Sequence, residues 1–117
     1  MKTRILISIL NWNASDKTLQ CVQSLLPHLH SSSHRADIRV IDNGSDEQQF
    51  ARLQAGLPAT VELHRNPVNT GFTGGQNANI GHALAHDYDL VWLLNNDTLV
   101  YPDTISELVR VMAEDPG

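Results

Sequence analysis

The sequence predicts an α/β fold in which a parallel sheet of about four strands carries helices on both faces. Four short apolar runs alternate with stretches of helical periodicity along the chain. Each apolar run ends in polar or glycine-rich residues, as expected of strands that deliver polar groups to one edge of a sheet. No repeat or linker divides the 117 residues, so we expect one domain over residues 1–117.

The composition excludes several classes of protein. An apolar fraction of 41% with 18% charged residues is ordinary for a globular domain. The net charge of −5 and the lack of any basic run argue against nucleic-acid binding. The single cysteine rules out an internal disulfide, and no apolar stretch approaches the length of a membrane span. We therefore expect a cytoplasmic protein, with the full-length protein able to associate with the inner face of a membrane.

The first strand-and-helix unit occupies residues 5–29. Residues 5–10 are apolar except for Ser8, which predicts a central strand that ends in the sequence NWN. We expect Ser15 to cap the following helix. Four apolar residues at helical spacing define its inner face: Leu19, Val22, Leu26 and Leu29.

The second and third units follow the same plan. A short strand at residues 38–41 runs into Asp42, and Ser45 with Gln48 resembles a capping box. The helix that follows is expected to pack Phe50, Leu53 and Leu57. Residues 60–64 alternate between polar and apolar types, which predicts a strand at the edge of the sheet.

The last part of the chain contains a glycine-rich segment and a strand that is followed directly by polar residues. Residues 71–75 hold three glycines, which allow tight turns and close approach to a ligand. Residues 90–94 form the fourth predicted strand, and Pro102 suits the first position of a final helix. Ile80, Ala83 and Leu84 are expected to face inward in the third helix. In the fourth helix, these apolar residues form a stripe at helical spacing: Ile105, Leu108, Val109 and Met112.

The polar groups at the strand ends suit a nucleotide ligand, and each also has a structural alternative. Asp42 could accept hydrogen bonds from a ribose or base, or simply make a turn. Trp12 could stack on a nucleobase or pack against the protein. The segment 71–75 could bind phosphate at a helix N-terminus or form a plain turn, and it matches neither the dinucleotide nor the P-loop fingerprint.

Two sets of residues are candidates for metal binding. His82 and His86 are four residues apart, but no nearby acid or cysteine has ligand spacing, so we favour a solvated helix face. Asp97 is the only carboxylate among the three residues that end the fourth strand. Magnesium commonly uses one or two protein carboxylates and completes its shell with phosphate and water oxygens, so this single acid can suffice. The alternative is that Asn96 and Asp97 only turn the chain.

Four segments in this order resemble the inverting family 2 glycosyltransferases of the GT-A fold, a Rossmann-like fold, and particularly their bacterial rhamnosyltransferase-like members. The segments are residues 7–13 (ISILNWN), 40–46 (VIDNGSD), 69–77 (NTGFTGGQN) and 93–98 (LLNNDT). The resemblance implies that Trp12 and Asp42 hold the base, that Asn95 faces the ribose, and that Asp97 holds a divalent cation, Mg²⁺ or Mn²⁺. It also implies nucleotide-sugar contacts from the other polar and glycine residues of these segments: Asn11, Asn13, Asn69, Gly71, Gly74, Gly75, Gln76, Asn77 and Asn96.

The chain departs from the family pattern in three respects. Asn95 replaces the first acid of the Asp-x-Asp metal motif, and Gln76 stands where many relatives carry Arg. The family's acceptor half lies well downstream of the metal motif, so we expect the general base downstream of Gly117. We therefore expect an N-terminal, donor-binding part of the domain that is inactive alone and has no catalytic residue of its own. A surface exposed by the missing half could form a homodimer.

The resemblance implies transfer of a sugar from a dTDP- or UDP-linked donor to a saccharide or lipid-linked acceptor. The expected chemistry is a metal-assisted, inverting displacement. One alternative is a non-catalytic nucleotide or nucleotide-sugar binding module that acts through a partner. Another is a nucleotidyltransferase, which would be expected to show a basic, glycine-rich loop after the first strand, and residues 11–14 are neither basic nor glycine-rich.

Overall fold

A computed structural model of the protein describes residues 2–114, with the side chains of residues 2–112. Strands and helices alternate along this part of the chain, as the sequence predicts. A short 3₁₀ helix at Leu26–His28 separates the first helix from the second strand. The elements in order are β1 (Thr3–Asn11), α1 (Ser15–Leu25), β2 (His34–Asn43), α2 (Glu47–Gly56), β3 (Glu62–Asn66), α3 (Gly71–Ala85), β4 (Leu90–Leu94) and α4 (Thr104–Glu114).

The four strands form one parallel sheet in the order β3-β2-β1-β4. This arrangement confirms the predicted fold class, and β3 lies at an edge as its alternating pattern indicates. The connections β1 to β2 and β2 to β3 move in one direction across the sheet, whereas β3 to β4 moves back past β1. Because parallel crossovers are right-handed, α1 and α2 cover one face and α3 covers the other.

The face that carries α1 and α2 holds the apolar core. Alternate residues of β1 point to this face, namely Ile5, Ile7 and Ile9, and all three are fully buried. Val22 of α1 and Ile105 of α4 belong to the same buried cluster. Burying such aliphatic side chains contributes about 1.5–3 kcal/mol each, so this face supplies most of the hydrophobic stabilisation.

The face covered by α3 is polar at its centre, which the sequence analysis did not predict. Ser8 of β1 accepts a hydrogen bond from Asn79 Nδ2 at 2.6 Å and donates to Gln76. Arg39 of β2 donates to Asn79 Oδ1 at 2.7 Å. Because α3 turns these polar residues inward, Leu84 faces solvent and is 80% exposed, so the prediction that it faces inward was wrong.

The predicted helix caps were also wrong. The N-cap of α1 is Ala14, and Ser15 instead donates its hydroxyl to the Gln49 backbone oxygen of α2 at 2.6 Å. The N-cap of α2 is Asp46, whose carboxylate accepts the Gln49 backbone N–H at 2.8 Å. Both serines of the predicted caps take part in longer-range contacts, so Asp46 caps α2 and no side chain caps α1.

The last two helices begin at positions that differ from the predictions. Helix α3 starts at Gly71, so the glycine-rich segment is its first turns and not a loop before it. A side-chain carbon at Gly75 would collide with Leu10 of β1, which shows how closely α3 approaches the end of that strand. Pro102 lies in the turn that precedes α4. None of the described helices is long and apolar enough to cross a membrane.

Candidate functional site

The carboxyl ends of the four strands meet at one edge of the sheet, where polar residues gather. The parallel register places Asn11 beside Asp42 and Asn43 beside Asn66. Leu94, the last residue of β4, pairs with Ile9, so the segment 95–97 leaves the sheet next to the end of β1. The predicted convergence of the strand ends is therefore present.

Asp42 is fully buried at the end of β2 and is already engaged in hydrogen bonds. Its Oδ1 atom accepts from Asn11 Nδ2 at 3.0 Å and from the Ser45 hydroxyl at 2.6 Å. The Ser45 backbone N–H lies 3.3 Å from Oδ2. The turn-forming role that the sequence allowed for Asp42 is thus present, and the base-binding role stays a prediction.

Asn13 ties the turn after β1 to the turn after β2. It adopts a left-handed backbone conformation with φ of 47°, which asparagine tolerates better than most residues. Its side-chain oxygen accepts the Asp46 backbone N–H at 2.9 Å, and its own N–H donates to Ser45 Oγ at 2.8 Å. These bonds hold the neighbouring Trp12 at the surface, where the side chain is 55% exposed.

A second set of hydrogen bonds links the end of β1 to the segment after β4. Asn11 Oδ1 accepts from the Thr18 hydroxyl of α1 at 2.6 Å, and Thr18 accepts from Asn96 Nδ2 at 3.1 Å. The Cys21 thiol lies 3.8 Å from the Asn95 backbone oxygen. Burial, with a smaller contribution from the negative charge of Asp97, raises the pKa of this thiol to about 11.

Asn43 organises the segment between β3 and α3. Its side-chain oxygen accepts from Asn66 Nδ2 at 3.1 Å and from the backbone N–H and hydroxyl of Thr70 at 3.1 and 3.0 Å. Its side-chain nitrogen donates to Asn69 Oδ1 at 3.1 Å and to the Gly71 oxygen at 3.0 Å. One buried amide therefore fixes where α3 begins relative to β2.

Gly44 lets this segment pass close to β2. Its φ is +82°, and a side-chain carbon there would lie 2.5 Å from the Asn69 backbone nitrogen. Only glycine avoids both the strained conformation and the collision. The glycine that directly follows β2 is therefore a structural requirement of this edge, whatever ligand it binds.

A cleft of about 220 Å³ lies at this edge of the sheet. Asp97 and Asn95 are exposed there, and no ion pair joins Asp97 to another described side chain. Phe72 of α3 is 58% exposed and also lines the cleft, although the sequence analysis assigned it no role. The sequence feature that could have identified Phe72 is an aromatic residue within a glycine-rich segment. The cleft is lined by Leu10, Phe72, Leu94, Asn95, Asn96 and Asp97.

The predicted nucleotide-sugar residues of α3 separate into two groups. Asn69, Gly71, Gly74 and Asn77 are exposed on or just before the first turns of the helix. Gly75 and Gln76 are buried, and Gln76 is 3% exposed because its amide bonds to Ser8 inside the helix–sheet interface. The structure therefore does not bring Gln76 to the surface of the cleft.

The general base is the one predicted site group for which the structure gives no position. We expect it downstream of Gly117, and Gly117 itself lies outside the described residues. The expectation that the base follows this residue therefore stays a prediction. The groups that the structure does place at the strand ends are those predicted to bind the donor and the metal.

The histidine pair on α3 lies away from this edge. The rings of His82 and His86 stack with centroids 4.0 Å apart, and His82 Nε2 is 3.7 Å from Glu62. Burial, with smaller contributions from the positive charges of Arg39 and His86, lowers the pKa of His82. Within the described part of the chain, no three His, Cys, Asp or Glu side chains form a group that could hold a metal ion.

Two solved structures share this fold. The chain is similar to a mannosyltransferase, PcManGT from Pyrobaculum calidifontis in complex with GDP-Man and Mn²⁺, with a TM-score of 0.79 and 16% identity over 98% of this chain and 34% of that one. It is also similar to S. aureus TarS 1-349, with a TM-score of 0.72 and 15% identity over 97% of this chain and 33% of that one. The chain thus spans about a third of the length of each.

Sequence comparison identifies the family. No curated protein matches the chain in sequence. The family model for glycosyl transferase family 2 matches residues 6–117, which is nearly the whole chain and includes all four strands from Leu6 of β1 onward. The parallel sheet agrees with the Rossmann-like GT-A fold of the two solved structures. The chain therefore belongs to glycosyl transferase family 2.

Proposed function

We propose that this chain is the nucleotide-sugar-binding part of a glycosyltransferase. The observation that carries the proposal is the cleft at the carboxyl ends of the strands, where the exposed carboxylate of Asp97 faces a glycine-rich helix start. Ligands of open α/β sheets bind at this edge. Family membership and the similarity to a mannosyltransferase in complex with GDP-Man and Mn²⁺ support the same assignment.

Asp97 is the proposed ligand of a divalent cation. Its side chain is exposed and unpaired among the described residues, and carboxylate and amide oxygens are the donors that Mg²⁺ and Mn²⁺ prefer. A single acid fits a cation whose remaining ligands come from a diphosphate and water. When bound, such an ion would stabilise negative charge on the leaving diphosphate. Asn95 and Asn96 are the proposed neighbours that contact the nucleotide sugar.

The proposed diphosphate contacts lie at the start of α3. The first turn of a helix has unpaired backbone N–H groups and a positive dipole end, both of which favour phosphate. Asn69, Gly71, Gly74 and Asn77 are exposed there and are the proposed contacts. Gly75 and Gln76 are buried, so we assign their part in binding to the packing of α3 on β1.

The proposed base site lies at Trp12 and Asp42, with Asn11 and Asn13 holding it in place. The exposed indole of Trp12 offers a ring face for stacking, which is worth about 1–3 kcal/mol per base in nucleic-acid complexes. Asp42 is buried and bonded to Asn11 and Ser45. Because Asp42 is fully buried, a direct bond from the base would require the groups that cover this carboxylate to move.

The proposal also covers the reaction of the full-length protein. We propose a single inverting displacement that transfers the sugar of a dTDP- or UDP-linked donor to a saccharide or lipid-linked acceptor, as in rhamnosyltransferase-like polysaccharide biosynthesis. The proposed general base lies downstream of Gly117, so we expect the chain alone to bind donor without transferring the sugar. We propose a cytoplasmic location, with association of the full-length protein at the inner membrane face.

Calorimetric titration with UDP, dTDP and GDP, each with and without Mn²⁺, tests this proposal. We expect one nucleotide to bind better in Mn²⁺, and Asp97→Asn to weaken that binding by about tenfold or more, because the variant removes the only carboxylate among the residues that line the cleft. Asp103→Asn is the matched control, since Asp103 is an exposed acid just before α4 and does not line the cleft. Nucleotide affinity that changes neither with Mn²⁺ nor in Asp97→Asn would contradict the metal assignment. A failure of every nucleotide to bind would contradict the donor-site proposal.

A further inference from the structure

One side of α1 holds the segment that carries Asp97. Three polar side chains of this helix, each three residues after the last, lie one above the other and contact the chain between β4 and α4. The contacts fall at three different residues of that segment. They are Thr18 Oγ1 to Asn96 Nδ2 at 3.1 Å, the Cys21 thiol to the Asn95 oxygen at 3.8 Å, and Ser24 Oγ to the Val100 backbone N–H at 3.1 Å.

Thr18 differs from Cys21 and Ser24 because it also contacts the end of β1. Its hydroxyl donates to Asn11 Oδ1 at 2.6 Å while it accepts from Asn96. Asn11 then donates to Asp42 at 3.0 Å. Thr18 is fully buried, so water does not replace either bond. One hydroxyl group thus joins the proposed base side of the cleft to the proposed metal side.

We propose that Thr18 is a positioning residue that fixes Asn96 and Asp97 relative to Asn11 and Asp42. The inference rests on the proposed function of this edge and adds to it a residue that touches neither nucleotide nor metal. A hydroxyl is required because one group must both donate and accept. Serine keeps both capacities, whereas valine has nearly the same shape and keeps neither.

Hydrogen exchange tests the positioning without any ligand. In Thr18→Val, Asn96 loses its acceptor, and we expect the Thr98 backbone amide, which donates to the Asn95 oxygen at 3.1 Å, to exchange about tenfold faster than in the wild type. Thr18→Ser is expected to restore the slow exchange. Asn96→Ala removes the same bond from a partly exposed position, so it repeats the test without disturbing the core.

Ser24→Ala is the matched control for these variants. Ser24 contacts the same segment from the same helix but has no bond to Asn11. We expect this variant to speed exchange of the Val100 amide while leaving exchange of the Thr98 amide unchanged. Exchange of the Thr98 amide at the wild-type rate in both Thr18→Val and Asn96→Ala would overturn the proposal.

Nucleotide titration then tests what the positioning does. We expect Thr18→Val to weaken binding in Mn²⁺ by about tenfold and to change binding without metal much less, because the displaced segment carries Asp97. Thr18→Ser and Ser24→Ala should bind as the wild type does. Faster exchange in Thr18→Val, with no nucleotide bound even by the wild type, would leave the positioning standing and overturn the proposed function. Equal metal-dependent binding by Thr18→Val and the wild type would overturn the role of Thr18 in the site.

Discussion

Single polar residues at the carboxyl edge of the sheet are buried only where each polar atom has a partner. Asn11 and Asp42 are fully buried and Asn43 is 1% exposed, yet no buried side-chain nitrogen or oxygen in the described part of the chain lacks a hydrogen bond. A buried polar group that loses its hydrogen-bond partner lowers the free energy of unfolding by about 1–3 kcal/mol. Replacing one of these residues therefore also leaves its partners unpaired at this cost. The edge therefore depends on matched sets of residues.

Cys21 gives a prediction at the same scale, because burial raises the pKa of its thiol from 9.0 to about 11. The unfolded chain loses the thiol proton first as the pH rises. The contribution of Cys21 to stability is therefore complete below pH 9.0 and is lost as the pH rises through about 11. We expect urea unfolding to show a steeper loss of stability over this interval in the wild type than in Cys21→Ala. Equal pH dependence of the two proteins would contradict the buried-thiol assignment.

Gly44 directly follows β2 and Gly71 begins α3, and both have positive φ. Replacing each of them by alanine gives two variants that share the backbone strain and differ in the space around the new side chain. A side-chain carbon at Gly44 would collide with the backbone of Asn69 and Val68, whereas one at Gly71 would meet nothing within 4 Å. We expect Gly71→Ala to cost about 1–2 kcal/mol of unfolding free energy from backbone strain alone. Gly44→Ala should cost about 1–3 kcal/mol more, from the collision.

Urea denaturation of both glycine variants measures this difference. A similar loss of stability in Gly44→Ala and Gly71→Ala would show that the segment before α3 moves aside easily. That result would contradict the close contact between the end of β2 and the start of α3.

Elements with a strong apolar pattern were predictable from the sequence, and those shaped by polar contacts were not. The fourth strand was predicted with its observed bounds because five apolar residues end at Asn95. Strand β2 starts at His34, four residues before the predicted strand, because pairing with β1 extends it through residues without an apolar pattern. In helix α3, Ala83 is buried as predicted, but Leu84 is exposed because Gln76 and Asn79 of the helix face polar partners on the sheet instead.

The sequence predicted those candidate site residues that lie at the ends of strands. Asn11, Asp42 and Asn95 come directly at or after apolar runs, so their convergence followed from the topology. Thr18 and Phe72 were missed for different physical reasons. A threonine in an amphipathic helix gives no sequence signal of its hydrogen-bond partners, and the exposure of Phe72 depends on α3 beginning at Gly71.

For the whole molecule, the exposed edge of the sheet at β4 predicts self-association. β4 lies at the end of the strand order, and Leu93 is 44% exposed on it. Unprotected edge strands pair readily, and an edge lysine prevents such pairing. We expect sedimentation velocity to show concentration-dependent dimers that Leu93→Lys abolishes. Leu84→Lys, at an exposed position on α3, should leave the dimers intact, and a monomer at every concentration would contradict the prediction.

The polar face beneath α3 has a consequence for how this domain tolerates redesign. Apolar side chains can be exchanged in many combinations as long as volume is conserved, so a combinatorial library on the α1 side should contain many folded members. Hydrogen bonds constrain direction as well as distance, and Ser8, Arg39 and Asn79 satisfy one another. The same library placed under α3 should yield few folded members, and those few should show correlated substitutions at these three positions.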